Sequence, residues 1–496
     1  MTMDRQIKRL GIALVCCFAA LFAQLNYIQF FGAERLNERP DNTRQEQRTF
    51  SRPRGQIIAA DGTVLARSVE ERSRFKFQRL YPEGDLFGPV TGYYSFTLGA
   101  TGVERSYGAD LAGTTPELRF ASLSDLFVDR EAVGNVHLTM HPDTQRIARE
   151  QLGDREGAVV ALDPRSGAID ALWSFPSFDP GPLSTNTEAS TTLKAALDAD
   201  PERPLLSRAY RDIFFPGSTF KVVTGSVAVD QGAVTEENPD YPVRSSFDID
   251  FTDRDLSNFG GQSCGGRLFD LLRVSCNSGF AQMGVDLGPE AMVAGAEAFG
   301  FNSAPPIDLP NPATSTFPTE FPDNEGNGPL ARASIGQGDV SSSPLQMALV
   351  TAGIANDGSV MTPHVMDRVT DEEGEEVRSF EESEWLRAIS PEAADVMRRG
   401  MVEVAANGTA EGLQIPGLEV GGKTGTAQLG TDPPQSHAWI LGFAGPPGQP
   451  PVVAVAVMVQ AQPGASEQTG GTVAAPIAKA VMEAVLATRG PEGGGG

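Results

Sequence analysis

Phe214-Phe215-Pro216-Gly217-Ser218-Thr219-Phe220-Lys221 runs directly into Val222-Val223-Thr224-Gly225-Ser226-Val227-Ala228-Val229. A sharp turn at Pro216-Gly217, followed by residues that are apolar on nearly every side, reads as a buried helix beginning at Ser218. On that helix Ser218 and Lys221 share a face. A serine hydroxyl is a weak nucleophile until a base takes its proton, and a desolvated lysine with a lowered pKa can be that base. Unpaired N–H groups at the helix start are available to an oxyanion. Ser218 is the candidate nucleophile.

A Ser-x-x-Lys spacing alone is weak evidence, and a second copy stands at Ser73-Arg74-Phe75-Lys76. Alternation of polar and apolar residues there suggests a strand, on which positions i and i+3 point to opposite faces. Two further elements favour Ser218: Ser275-Cys276-Asn277, and beyond it Lys423-Thr424-Gly425-Thr426. Gly417 to Thr424 also matches a phosphate-binding P-loop pattern, but Pro416 precedes it and Pro433-Pro434 follow where a helix would have to open. Gly261-Gln262-Ser263-Cys264-Gly265 has the spacing of a hydrolase nucleophile elbow, yet the polar residues before it do not suit a central strand. It reads as a surface loop. His137 and His141 flank what looks like a strand end and do not make a zinc site.

The chain has 496 residues, 40% of them hydrophobic, which is enough for two or three domains. A formal net charge of −25 repels nucleic acid and carries no mechanism of its own. From Leu10 to Ala33 no charged residue occurs. A helix of that length, at about 1.5 Å per residue, outspans a hydrocarbon core of about 30 Å. Arg5, Lys8 and Arg9 precede it against Asp4 alone, which places residues 1–9 in the cytoplasm and the rest outside. The competing reading, a cleaved signal peptide, lacks a good small-x-small cleavage site after the apolar run.

Beyond this anchor (10–33), Arg35 to Arg48 is charged enough to be a solvated stalk. Arg54-Gly55 to Ala66 reads as two short strands around Asp61-Gly62. The remainder, to about residue 150, mixes short strands with Gly- and Pro-rich turns and suggests a pedestal domain (34–150). From 151 to 490 the pattern changes. Gly157–Asp163 and Ala168–Trp173 form a hairpin, Ala438–Ala444 and Val452–Val459 are strong strands, and a helix from about Ala475 to Thr488 closes the domain. Together these predict an α/β (α+β) fold, a mainly antiparallel sheet packed between helices. The Gly-rich tail (491–496) is expected to be disordered.

The ordered triplet of motifs resembles that of penicillin-binding proteins and serine β-lactamases. Arg54-Gly55, Asp61-Gly62, Thr101-Gly102-Val103-Glu104, Ser334-Ile335-Gly336-Gln337-Gly338 and Ser343-Pro344-Leu345-Gln346 extend the likeness to a class B penicillin-binding protein of actinobacterial type. No glycosyltransferase segment or C-terminal repeats are seen. The resemblance implies a five-stranded transpeptidase sheet after a dimerisation-type pedestal. It also implies a peptidoglycan D,D-transpeptidase acting on D-Ala-D-Ala stem peptides and blocked by β-lactams, with no metal or cofactor. Ser218 is then the nucleophile and Lys221 its base; Ser275 relays a proton, and Asn277 holds substrate and Lys221. Lys423, Thr424 and Thr426 bind the terminal carboxylate, and the N–H groups of Ser218 and Thr426, the latter beside Gly425, form the oxyanion hole. A multispanning lipid II polymerase of the SEDS type is the implied partner. A non-catalytic penicillin sensor is the alternative within the family.

Cys264 and Cys276 are the only cysteines beyond the anchor, in a segment expected outside the cytoplasm. If Ser275-Cys276-Asn277 is extended, the Cys276 side chain points away from its neighbours and can bridge to Cys264 without blocking the cleft. Two buried free thiols are the other possibility.

Overall fold

The computed structural model describes residues 3–27, 50–72, 75–119, 133–252, 255–431, 435–462 and 468–489. Its chain divides into two compact units, Met1–Pro53 with Glu70–Gln78, and Arg54–Val69 with Arg79–Gly496. The expected stalk, the Ser73-Arg74 half of the second Ser-x-x-Lys copy, residues 28–33 of the anchor and the C-terminal tail lie outside the described residues.

In the first unit, Met3–Tyr27 is one helix. Every described side chain on it from Lys8 to Gln24 is exposed, including Leu10, Ile12, Val15, Phe18 and Phe22. An apolar surface all the way round is foreign to water.

The second unit is built on a five-stranded sheet in the order Glu419–Gln428, Ser436–Gly445, Val453–Val459, Gly157–Leu162, Ile169–Phe175. Every pairing is antiparallel. All residues of the strands Ser436–Gly445, Val453–Val459 and Gly157–Leu162 are buried, so both faces need cover. It comes from the wholly buried helix Pro344–Ala355 and from Pro142–Leu152 with Ala475–Arg489. The stretch Gly470–Arg489 is long and apolar enough to cross a bilayer, yet half of it is buried against this sheet; here it is a core element. The expected sheet between helices is the one observed, and its edge strand carries Lys423 to Thr426.

A second sheet has Ile57–Ile58 between Val64–Glu70 and Asn135–Leu138. The Asp-Gly hairpin read from sequence is therefore present. Met366–Thr370 and Glu376–Ser379 extend the same sheet, although they come far later in the chain. Residues 84–119 hold short helical turns where strands and turns were expected, among them Gly88–Thr91, Gly102–Ser106 and Gly108–Leu111. Their glycines explain the difference: at Gly92 and Gly102 φ is +66° and +54°, and an added Cβ would fall within 2.3 Å of a facing carbonyl oxygen. Two backbone turns cross here at a distance only glycine permits.

Glu104 anchors this region. Its carboxylate accepts from Arg54 Nε and Arg79 Nε, each at 2.6 Å, and all three side chains are buried. Burial alone would raise the Glu104 pKa, but the two guanidinium groups hold it below the ordinary carboxylate range. Replacing Glu104 by Gln leaves two buried cations uncompensated. The expected loss is about 3–5 kcal/mol in a denaturant titration; a loss under about 1 kcal/mol would contradict this account.

Candidate active site

Ser218 does not open an α-helix as expected. It lies in a 3-10 turn, Gly217–Phe220, and the α-helix Lys221–Asp230 follows. With about three residues per turn, positions i and i+3 eclipse, which brings Lys221 over Ser218 more directly than α-geometry would. Nζ of Lys221 lies 3.0 Å from Ser218 Oγ. It also lies 2.7 Å from the Ser275 carbonyl oxygen and 2.6 Å from Asn277 Oδ1.

These neighbours define the protonation state that can act. Lys221 is fully buried, and no carboxylate is among its hydrogen-bond partners. Burial, and then the nearby Lys423 cation, push its pKa well below the usual lysine value. A neutral amine has two N–H bonds and one lone pair. Both carbonyl-type oxygens can only accept, so the two N–H groups go to Ser275 O and Asn277 Oδ1, and the lone pair is left for the Ser218 hydroxyl. Nδ2 of Asn277 donates to Ser257 O at 2.9 Å, which fixes the amide in this orientation.

Ser275 joins the two lysines. Its Oγ lies 2.8 Å from Lys423 Nζ and 3.4 Å from Lys221 Nζ. Lys423 is itself fully buried, donates to the Thr424 carbonyl, and has its pKa lowered by burial to about 7. Sequence-adjacent Lys423 and Thr424 thus face different ways: Thr424 and Thr426 line the cleft, whereas the lysine reaches Ser275 from behind the wall. Gly425 sits between them. A Cβ there would approach Thr219 Cγ2 to 2.8 Å and Pro216 O to 3.0 Å, so glycine is what lets the edge strand lie against the turn that carries Ser218.

The cleft encloses about 570 Å³, within the usual span of ligand pockets. Ser218, Ser275, Asn277, Thr424 and Thr426 all line it. The structure therefore brings every candidate residue into one cluster, with Lys221, Lys423 and Gly425 immediately behind the lining. Sequence reasoning missed Thr409, whose Oγ1 is 2.6 Å from Thr424 Oγ1 and whose N–H donates to the Arg273 carbonyl. It also missed the Thr469–Thr472 wall and the Phe259-Gly260 rim. The run Thr469-Gly470-Gly471-Thr472, hydroxyls around paired glycines before the last helix, was the available signal. The rival motifs fall away: Glu419–Gln428 is a strand that opens no helix, and Cys264–Gly266 is a short partly exposed strand.

The chain belongs to the penicillin-binding protein transpeptidase family, in its class B branch. The family's transpeptidase domain matches residues 157–483, and the penicillin-binding protein A dimerisation domain matches residues 54–136. Peptidoglycan D,D-transpeptidase PbpA of Mycolicibacterium smegmatis is 37% identical over 98% of this chain and 99% of its own length. The PbpA of Mycobacterium tuberculosis is 36% identical, with the same coverage. Penicillin-binding protein A from M. tuberculosis, solved as a ceftriaxone acyl-enzyme complex, superposes with a TM-score of 0.80 at 35% identity, covering 89% of this chain and all of that one.

Cys264 and Cys276 form a disulfide, with Cα atoms 5.8 Å apart. The expected extended tripeptide is not the reason. Ser275 has φ of +57°, a left-handed residue between the helices Leu268–Arg273 and Asn277–Leu287, and Cys276 immediately precedes the second helix. That corner turns Ser275 and Asn277 toward Lys221 and Cys276 toward Cys264. Replacing both cysteines by alanine is expected to lower stability by roughly 3 kcal/mol and to slow active-site chemistry, because the corner carrying Ser275 loses its brace. Unchanged stability in a denaturant titration would refute the first expectation.

Proposed function

We propose that this chain is a D,D-transpeptidase that cross-links peptidoglycan stem peptides through an acyl-enzyme on Ser218. The observation that carries this reading is the buried, carboxylate-free Lys221, whose lone pair is left facing Ser218 Oγ at 3.0 Å. Lys221 takes the serine proton as Oγ attacks the penultimate D-alanine carbonyl. The N–H groups of Ser218 and Thr426 receive the oxyanion. As the C–N bond breaks, the proton passes through Ser275 to the departing D-alanine amine. An amine from a neighbouring stem peptide then attacks the ester and frees Ser218. Lys423 supplies the positive field, and Thr424 and Thr426 the hydroxyl donors, for the terminal carboxylate. Asn277 holds Lys221 and the acyl-side amide.

The same reading makes residues 10–33 a membrane anchor with 1–9 cytoplasmic, 34–150 a pedestal and 151–490 the extracytoplasmic catalytic domain. Support comes from the exposed apolar helix Met3–Tyr27 and the basic residues at its start. Since the proposed chemistry joins strands and does not make them, a SEDS-type lipid II polymerase is the partner this reading calls for. Replacing residues 1–150 should abolish co-purification from membranes; undiminished co-purification would refute that partner assignment.

A labelled β-lactam is expected to form a mass-resolved adduct on Ser218, lost in Ser218→Ala. Labelling that survives the substitution would sink the assignment. The pH profile is a second check. Lys221 must be neutral, so kcat/KM rises as its proton leaves; Lys423 must be charged, so kcat/KM falls as pH passes about 7. A bound carboxylate stabilises the Lys423 cation, so the alkaline limb of kcat should lie higher than that of kcat/KM. Lys423→Met should erase that limb.

A further inference from the structure

A second concavity, of about 340 Å³, lies apart from the nucleophile. Its apolar surface comes from Tyr93, Phe178, Leu197 and Leu205, part of a small hydrophobic cluster separate from the main core. Tyr93 and Phe178 meet edge to face, with ring centroids 6.4 Å apart. The crossing of Gly92 and Gly102 builds one wall, which fixes its shape without side chains.

Its charge is opposite to that of the molecule. Arg105, Lys194, Arg203 and Arg211 line it against the single acid Asp198, in a chain of net charge −25. Lys194 is engaged by Asp198, and Arg203 by Asp212. Arg105 and Arg211 line it with no side-chain hydrogen bond or ion pair among the described residues, Arg105 exposed and Arg211 half-buried beside Tyr210. Two uncommitted planar donors beside an aromatic and aliphatic floor suit a ligand with an anionic head and an apolar body.

We propose that this cavity binds a small amphiphilic carboxylate, the head held by Arg105 and Arg211 and the body laid on Tyr93, Phe178, Leu197 and Leu205. Neither the proposed acyl transfer nor its residues are involved, so this site stands or falls independently of that reading. Full-length protein would be titrated calorimetrically with N-acetylphenylalanine, its methyl ester and acetate. Saturable binding is expected for N-acetylphenylalanine alone, weakened at least tenfold in the Arg105→Gln, Arg211→Gln double variant. Both side chains reach solvent, so the thermal midpoint of that variant should match the parent's. Should it not, Leu197→Asp, which charges the floor, must weaken binding by as much. Equal binding of the ester would remove the role of the charge, and equal binding of acetate the role of the floor. Absence of saturable binding, or binding undiminished in the variants, overturns the proposal.

Discussion

A lysine buried with no counter-charge is the constraint on which the rest of this active site depends. Burying a lone ammonium without compensation costs several kcal/mol or more. The fold sidesteps that cost by holding Lys221 as an amine, and then has to place acceptors for its N–H bonds and a donor for its lone pair. Ser275 O, Asn277 Oδ1 and Ser218 Oγ fill those places at 2.7, 2.6 and 3.0 Å. Each comes at a structural demand: a 3-10 turn for Ser218, a left-handed φ for Ser275, and the Ser257 carbonyl to orient Asn277. Backbone strain at Ser275 is tolerated because the surrounding helices and the disulfide determine the corner.

The site also depends on three pieces of chain coming closer than side chains normally allow. Gly217, with φ of +54°, would put a Cβ 3.0 Å from Ala427 Cα, and Gly425 faces Thr219 and Pro216. A Cβ on Gly470 would fall 1.9 Å from the Trp439 carbonyl oxygen. So the Gly217–Phe220 turn, the edge strand and the Thr469–Thr472 wall are packed backbone to backbone. Such packing leaves little freedom for the backbone N–H groups of Ser218 and Thr426 to move, which is what electrostatic preorganisation would require of the oxyanion donors proposed above.

What the sequence made legible follows from where local chemistry is decisive. The motifs stood out because each needs particular residue types, and the strands Val453–Val459 and Gly157–Leu162 because long apolar runs bounded by turns admit few readings. The glycine-rich turns of residues 84–119 were misread because glycine marks a close approach without saying what approaches. Met366–Thr370 joins Asn135–Leu138 through a pairing set by tertiary packing, to which local pattern is blind. Thr409 escaped for a related reason. A lone threonine at the end of the helix Pro391–Asn407 carries no signal until the fold sets it against Thr424.

The acidic surface poses an apparent conflict with a substrate that ends in a carboxylate. A net charge of −25 repels an anion at long range. At physiological ionic strength, however, exposed charges are screened beyond about 8 Å, whereas a cation behind the wall of a half-enclosed cleft is not. In the proposed mechanism Lys423, fully buried and with its pKa lowered by burial to about 7, would act where the surface charge has already decayed. Recognition by buried donors at short range is thus compatible with any sign of surface charge, and the same burial that weakens the lysine as a cation in water strengthens it toward a carboxylate that excludes water on binding.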